Sequence, residues 1–377
     1  MNPTETYNFN KYLKYKQKYL RLKQLQTGGA SRDKLDKTNK KLTYSLCVDY
    51  DDTFNEVLRR ILNRHNFKEI PFDELYDGST KSKKTIDFLF LRYIKTPIIK
   101  EYQLINCRIK NELSGSNKLF NKCTLHKLIN DSDDKKLRSH IPKTRDLKDI
   151  EHLEKGQILI LRPCAPWASS GKGIVRVATE DELQKEKRKY KSNNKFSIIA
   201  SEYIRNPLLF DNRKFHLRMY MIFTVTPKFR YELAKIGKIL TAKKPYVDKY
   251  FDDLDIHDTH VHSTKHDYFF PKDFNETNIP EISEHISSIW DQMDYICGKL
   301  SNFVKHDVKP YEESESGYYV FGLDFMVDTA YHVLLIECNN HPGYANIDVD
   351  DNKNYVDFLE QHFEWIYDRA LKPFFNK

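Results

Sequence analysis

Two acids and an amide near the C-terminus have the types and spacing for metal chemistry. The stretch YYVFGLDFMVDTAYHVLLIECNN, residues 318–340, contains Asp324, Glu337 and Asn339. Its alternation predicts an antiparallel strand pair with Phe321, Leu323, Phe325 and Val327 on the core face, matched by Leu334, Ile336 and Cys338. The opposite face takes Gly322, Asp324 and Met326, then Leu335, Glu337 and Asn339. A loop over residues 329–332 sets Asp324 directly across from Glu337, with side-chain roots about 5 Å apart; a two-residue loop makes them diagonal neighbours on that face. Facing carboxylates repel unless a cation lies between them or one keeps its proton. With Asn339 as a third oxygen ligand, the set reads as an all-oxygen Mg²⁺ site. The bland alternative is a solvated hairpin with ordinary surface acids, and the large apolar residues flanking both strands weigh against it.

Two further stretches concentrate cations. In LILRPCAPWASSGKGIVRV, residues 159–177, an apolar strand delivers Arg162 into small residues around Lys172, which sits between Gly171 and Gly173. Such loops bring backbone N–H groups and cations against phosphate oxygens. The offsets match neither a Walker A loop nor a dinucleotide fingerprint, and an ordinary hairpin turn is the competing reading. In SEYIRNPLLFDNRKFHLRMYMIFT, residues 201–224, Lys214, His216 and Arg218 alternate and so share a strand face. Cations on an otherwise apolar strand suit an anion such as a triphosphate or an acidic acceptor.

The elements that position these groups are mixed. Strands are expected over Leu42–Asp49, Phe88–Tyr93, Gln157–Leu161, Ile198–Ile204 and His216–Val225, and a helix over Thr53–His65 with Val57, Leu58, Ile61 and Leu62 on one stripe. Pro280–Phe303 reads as a long helix, with Ile282, Ile286, Ile289, Met293, Ile296 and Leu300 near helical period. Val356–Leu371 reads as an amphipathic helix ended by Pro373. The polar stretch Asn130–Lys148 is expected to be a flexible loop. Together these elements indicate an α/β (α+β) protein with more than one layer.

The chain has 377 residues, 40% hydrophobic and 31% charged, enough apolar material for substantial cores and against a disordered or collagen-like class. Formal net charge is +8, but residues 1–40 hold ten Lys/Arg against three acids, leaving the body nearly balanced. That distribution argues against a nucleic-acid binder built from the whole body. KYLKYKQKYLRLKQLQ, residues 11–26, predicts a basic amphipathic helix stopped by Gly28-Gly29, either a surface or partner anchor or a solvated tag. No apolar run reaches the roughly 20 residues of a membrane span, and no secretory signal opens the chain. The six scattered cysteines, without a CxxC, read as inert buried thiols in a reducing compartment.

Taken in order, these segments resemble the tubulin–tyrosine ligase family of ATP-grasp amide ligases. EYIRNPLLFDNRKFHLRMYM, FGLDFMVDTAYHVLLIECN and KLFNKCTLHKLI (118–129) carry the resemblance, which extends from about Leu42 to the C-terminus. It implies an ATP-grasp fold with a small N-terminal α/β domain: a leader and linker (1–40), an N-terminal domain (41–115), a central domain (116–206) and a C-terminal domain (207–377). It implies ATP and Mg²⁺ as cofactors, with Asp324, Glu337 and Asn339 on the metal. Lys122, Arg162 and Lys214 would face phosphates, with Lys172 of the glycine loop a further nucleotide-binding candidate; Glu202, Tyr203 and Ile204 would line the adenine hinge, and His216 and His260 would border the nucleotide. Arg218, Lys238 and Glu337 are the implied catalytic groups.

A cluster of His257, His260, His262 and His266 has no Cys and no HExxH, so a polar loop bordering the nucleotide accounts for it better than zinc. The resemblance further implies a monomer in the cytoplasm that joins a free amino acid to a protein acceptor such as a tubulin tail. The leader is similar to leaders of giant DNA-virus proteins, implying host cytoplasm or virion. Departures fall at the acceptor end: Arg162 stands for a usual Lys, His216 for a usual Asp, and Leu240 for a functional Arg, with Lys238 two residues back on the same face. A catalytically degenerate scaffold binding nucleotide or a microtubule or viral partner is therefore the alternative reading.

Overall fold

The computed structural model describes residues 41–48, 52–75, 84–92, 105–164, 174–192, 196–259, 268–270, 280–340, 342 and 353–376. The leader helix, Lys172, His260, His262 and His266 lie outside the described residues. The chain divides into Met1–Lys41 and Leu42–Lys377, and the fold is that of the second unit. Its first part comprises β1 (Leu42–Val48), α1 (Thr53–Arg64), β2 (Phe67–Glu69), α2 (Phe72–Leu75), β3 (Ile86–Arg92) and β4 (Cys107–Lys110). Next come α3 (Asn117–Phe120), α4 (Lys122–Asn130), α5 (Lys135–Ser139), β5 (Thr144–Asp146), β6 (Leu159–Pro163), β7 (Val175–Val177), α6 (Glu180–Ser192) and β8 (Ile198–Glu202). The rest are β9 (Leu209–Phe210), β10 (Arg213–Val225), β11 (Phe229–Thr241), α7 (Leu254–His257), β12 (Tyr268–Phe270), α8 (Ile286–Val304), β13 (Ser314–Val327), β14 (Val333–Asn339), α9 (Lys353–Ile366) and α10 (Lys372–Phe375).

One mixed sheet runs β12, β11, β10, β13, β4, β3, β1, β2, with β14 also on β13 and β9 on β10. The strands of the N-terminal segment are parallel to one another and join β13 through β4, so they extend the sheet of the C-terminal segment. A second, four-stranded sheet of order β5, β8, β6, β7 has its own core of Leu147, Ile150, Leu159, Leu161, Val177, Leu183 and Ala200.

The pleat of β10 explains where the site can lie. Phe215, Leu217, Met219, Met221 and Phe223 point into the core under α8, beside Ile289, Met293, Ile296 and Leu300. Tyr220 and Ile222 point to the other core, where α1 and α9 bring Phe54, Leu58, Phe358 and Phe363. Further along that second face the strand carries Lys214, His216 and Arg218, all buried. One face thus changes from apolar to cationic within a single strand.

Several local expectations need correction. The stretch 130–148 is structured: it holds α5, β5 and a 3₁₀ turn at Leu147–Asp149. Its charges act as caps, since Asp134 accepts from the Leu137 amide and from Tyr295 Oη, and Asp146 accepts from the Lys148 amide. The long helix begins only at Ile286, after a 3₁₀ turn at Ser283–His285. Pro373 does not end a helix but sits in the first turn of α10, where its missing N–H costs nothing. The α-helix has already given way at Ile366 to a π turn over Tyr367–Leu371, which keeps Ala370 and Leu371 buried. Two of the six cysteines are not buried thiols, since Cys123 and Cys164 form a disulfide. No described helix is long and apolar enough to cross a membrane.

Candidate active site

Asp324 pairs directly with Glu337 across β13 and β14, but not for the reason the alternation suggests. The loop is longer than expected: Val327 pairs with Val333, Met326 with Leu334 and Phe325 with Leu335. That register alone would leave Asp324 opposite Ile336. A bulge between Asp324 and Phe325 in the ladder skips Ile336 and brings Glu337 opposite Asp324 and Asn339 opposite Gly322. The bulge also swaps faces. Val333 and Leu335 face the core in place of the expected Leu334 and Ile336, while Cys338 remains in it.

Asp324 is 1% exposed and meets Arg218 from the neighbouring β10. The guanidinium forks onto the carboxylate, Nε to Oδ1 and Nη2 to Oδ2, the latter at 2.9 Å. His216 Nε2 lies 3.5 Å from Oδ1, and its Nδ1 is 2.6 Å from the Thr259 hydroxyl. Burial opposes the charge on Arg218, yet Asp324 more than offsets it and holds the guanidinium above its ordinary range. Asn339 Nδ2 donates to Asp324 Oδ2 at 3.1 Å and to Glu337 Oε1 at 2.8 Å. Lys122, the first residue of α4, reaches Glu337 Oε2 at 3.4 Å.

These groups fit a hard divalent ion. Two carboxylates and an amide converge, and a single amide nitrogen bridges both acids where a cation would relieve their repulsion. Rotating that amide by half a turn offers its oxygen instead. Asp324 is the least available of the three, because Arg218 already engages both its oxygens, so Glu337 would be the principal ligand of such an ion. Among the described residues there is no cluster of three or more His, Cys, Asp or Glu placed to hold a metal. His257, the described member of the histidine group, is taken by the Tyr203 hydroxyl at 2.8 Å and the Lys249 carbonyl at 2.9 Å.

The cations gather around this pair. Lys238 of β11 pairs across the sheet with Arg218, and Leu240 with His216; both are buried. Lys214 donates to the Tyr203 hydroxyl at 3.2 Å and lies 4.3 Å from that ring's centre. Burial pushes its ammonium down to about 8, with Asp258 opposing. The hinge residues are partly committed already: the Glu202 amide donates to the Lys143 carbonyl and the Tyr203 amide to the Ile158 carbonyl. Arg162 is likewise held by protein atoms, with Nη1 on the Ile336 carbonyl at 2.9 Å and Nη2 on Ser201 Oγ at 2.9 Å and His126 Nε2 at 3.1 Å. It therefore clasps the bulge residue that sets the direction of Glu337. Burial and the flanking Arg162 and Lys122 push His126 down to about 3, so it is neutral and can accept that bond.

Sequence reasoning missed His126 and the mechanical role of Gly322. A Cβ at Gly322 would come within 2.7 Å of Pro342 Cβ and 3.3 Å of Arg218 Cδ. Gly322→Ala is therefore expected to collide with Pro342 and crowd Arg218, destabilising the fold by about 1–3 kcal/mol, measured by urea unfolding.

The model of the tubulin-tyrosine ligase family matches residues 100–367. A probable tubulin–tyrosine ligase of Schizosaccharomyces pombe is 27% identical over 195 residues, covering 49% of this chain and 46% of that protein. The inactive polyglycylase TTLL10 of Homo sapiens is 24% identical over 250 residues, covering 57% and 36%. The chain thus spans less than half the length of these curated relatives. The crystal structure of the C-terminal domain of K. lactis Pby1, described as an ATP-grasp enzyme interacting with the mRNA decapping enzyme Dcp2, superposes with a TM-score of 0.60 at 19% identity, covering 89% of this chain and 94% of that one. Its likeness shows the fold, a mixed α/β ATP-grasp architecture, and with the match over most of its length the chain belongs to the tubulin-tyrosine ligase family.

Proposed function

We propose that this protein is an ATP- and Mg²⁺-dependent ligase that joins a free amino acid to a protein carboxylate, a C-terminus or a glutamate side chain, through an acyl-phosphate. The supporting observation is the gathering of charged side chains from both sheets and α4 around the Asp324–Glu337 pair. Arg162 of the four-stranded sheet and Lys214, Arg218 and Lys238 of the large sheet are buried and Lys122 of α4 is half-buried; among the described residues Arg218 meets Asp324, Lys122 meets Glu337, and Asp258 lies near Lys214. Cations gathered in this way suit an anionic ligand, and a triphosphate with its acceptor carboxylate is such a ligand.

In this reading Lys122 and Lys214 meet phosphate oxygens, and Arg162 holds Ile336 so that Glu337 faces the nucleotide. A bound Mg²⁺, held by Glu337, Asn339 and Asp324, would offset charge on the phosphates. Lys172 and His260 belong to the same proposal as nucleotide contacts, and the hinge at Glu202–Ile204 would have to offer carbonyls and the Ile204 amide. The acceptor carboxylate takes the γ-phosphoryl group, the amino-acid amine then displaces phosphate, and Arg218 and Lys238 stabilise the charge that gathers at the acceptor.

The test is ADP release by purified protein given ATP, Mg²⁺, candidate amino acids and tubulin, followed by mass spectrometry of the tubulin tails. Turnover stimulated by one amino acid with a matching mass increment is expected; no stimulation by any pair would count against ligation. The second reading, a scaffold that binds nucleotide without ligating, draws on Leu240 being buried where the family resemblance places an arginine. ATP binding without any acceptor-stimulated turnover would favour it.

The depressed Lys214 makes a pH prediction. Its charge is present below about 8 and lost above it, so kcat/KM for ATP is expected to fall as pH rises through that value, and Lys214→Arg should remove that limb. The sign for stability is opposite. Between about 8 and 10.5 the unfolded chain keeps a proton that the folded one gives up, so this group makes folding more favourable as pH rises across that window.

A further inference from the structure

The six cysteines divide by exposure. Cys47, Cys107, Cys297 and Cys338 are buried and outside any disulfide, whereas Cys123 and Cys164 are half-buried and joined. We propose that Cys123 and Cys164 form a reversible redox-modification site, taking low-molecular-weight disulfides such as glutathione disulfide, that sets how firmly Lys122 and Arg162 are anchored. The part of this claim that concerns nucleotide rests on the function proposed for the site; the modification itself does not.

Four observations support it. The Cα atoms are 5.7 Å apart, within the range that lets a disulfide close without backbone movement. Cys123 is the second residue of α4, after the Asn121 cap and beside Lys122. A helix N-terminus favours negative charge, the character of the sulfur that attacks a disulfide or departs from one. Partial exposure gives a small disulfide access, and exposed disulfides are the labile ones.

The remaining observation is where the bond acts. It joins the same two elements that the His126–Arg162 hydrogen bond joins, with Cys123 three residues before His126 on α4 and Cys164 two residues after Arg162, just past β6. Through these neighbours α4 and β6 reach the metal-type hairpin, Lys122 at Glu337 and Arg162 at the Ile336 carbonyl. Oxidation ties the two elements covalently; reduction leaves the noncovalent clasp alone. Pre-ordering both contacts lowers the entropy lost when a phosphate group binds.

The chemistry balances as two exchanges. The Cys123 thiolate attacks one sulfur of the small disulfide, forming a mixed disulfide and releasing a thiolate that takes up the proton Cys123 gave. The Cys164 sulfur then attacks the Cys123 sulfur and expels the second small thiol, again with its proton. Two protein thiols are oxidised by two electrons, and one small disulfide is reduced to two thiols.

Differential alkylation with mass spectrometry, across glutathione buffers from fully reduced to fully oxidised, is the direct test. Cys123 and Cys164 are expected to convert together while the four buried cysteines stay thiols. Calorimetric titration of the two wild-type forms with Mg²⁺ and ATP should then show the oxidised form binding roughly three- to ten-fold more tightly, with Cys123→Ser and Cys164→Ser giving one affinity in every buffer. A pair locked in one state across all buffers overturns the proposal, as does conversion with unchanged ATP affinity. If neither form binds ATP but the pair still titrates and shifts the melting temperature of wild type alone, the modification site stands and the ligase reading falls.

Discussion

Replacing Arg218 with alanine is expected to lower the unfolding free energy by about 3–5 kcal/mol, the usual cost of breaking a buried ion pair from one side. Asp324 would be left 1% exposed without its bidentate partner, and neither the amide of Asn339 nor His216 can replace a guanidinium fork. Urea unfolding measures the loss directly. The sharper result comes from the double change Arg218→Met with Asp324→Leu. Removing both charges removes both desolvation costs, so most of the stability should return while ATP turnover does not. If the single variant unfolds like wild type, the pair is not the strut that the geometry describes.

The second large effect falls on turnover. Glu337→Gln keeps the shape of the side chain and an oxygen able to accept from Asn339 Nδ2, so the melting temperature should move little. It removes the charge that meets Lys122 and the most available carboxylate of the metal-type set. ATP-dependent turnover is expected to drop by about 10²–10³ or more, the scale seen when one electrostatic group at a reacting centre is deleted. A variant that is folded and fully active would remove Glu337 from the chemistry. Comparing the two substitutions separates the expected roles: loss of stability from the Arg218–Asp324 pair, and loss of turnover without loss of stability from Glu337.

Period-two alternation was enough to place Lys214, His216 and Arg218 on one strand face, because strand parity is a local property of the chain; it also paired Asp324 with Glu337, but through a register that the structure does not have. It could not show the Ile336 bulge. A one-residue insertion in a ladder leaves no mark in an apolar stretch, and the right acids faced each other by a different register from the one expected. The Arg218–Asp324 fork and the join between β4 and β13 link residues far apart in sequence, which no local pattern encodes. The helix within 130–148 was hidden because cap residues and charges look like solvated loop until their partners, Tyr295 and Lys299, are in place. Cysteine pairing is likewise not deducible from spacing alone, so Cys123 and Cys164 read as two more scattered thiols.

The proposed chemistry needs a nucleotide whose binding depends on a divalent ion at the Asp324–Glu337 pair. Calorimetric titration of ATP into the wild type and Glu337→Gln, with Mg²⁺ and again with a chelator, tests that most directly. Mg²⁺ is expected to tighten binding to the wild type by at least about tenfold, equivalent to about 1.4 kcal/mol, and Glu337→Gln to lose this increment. Equal affinity with Mg²⁺ and chelator, unchanged in the variant, would contradict a metal-dependent nucleotide site at this pair.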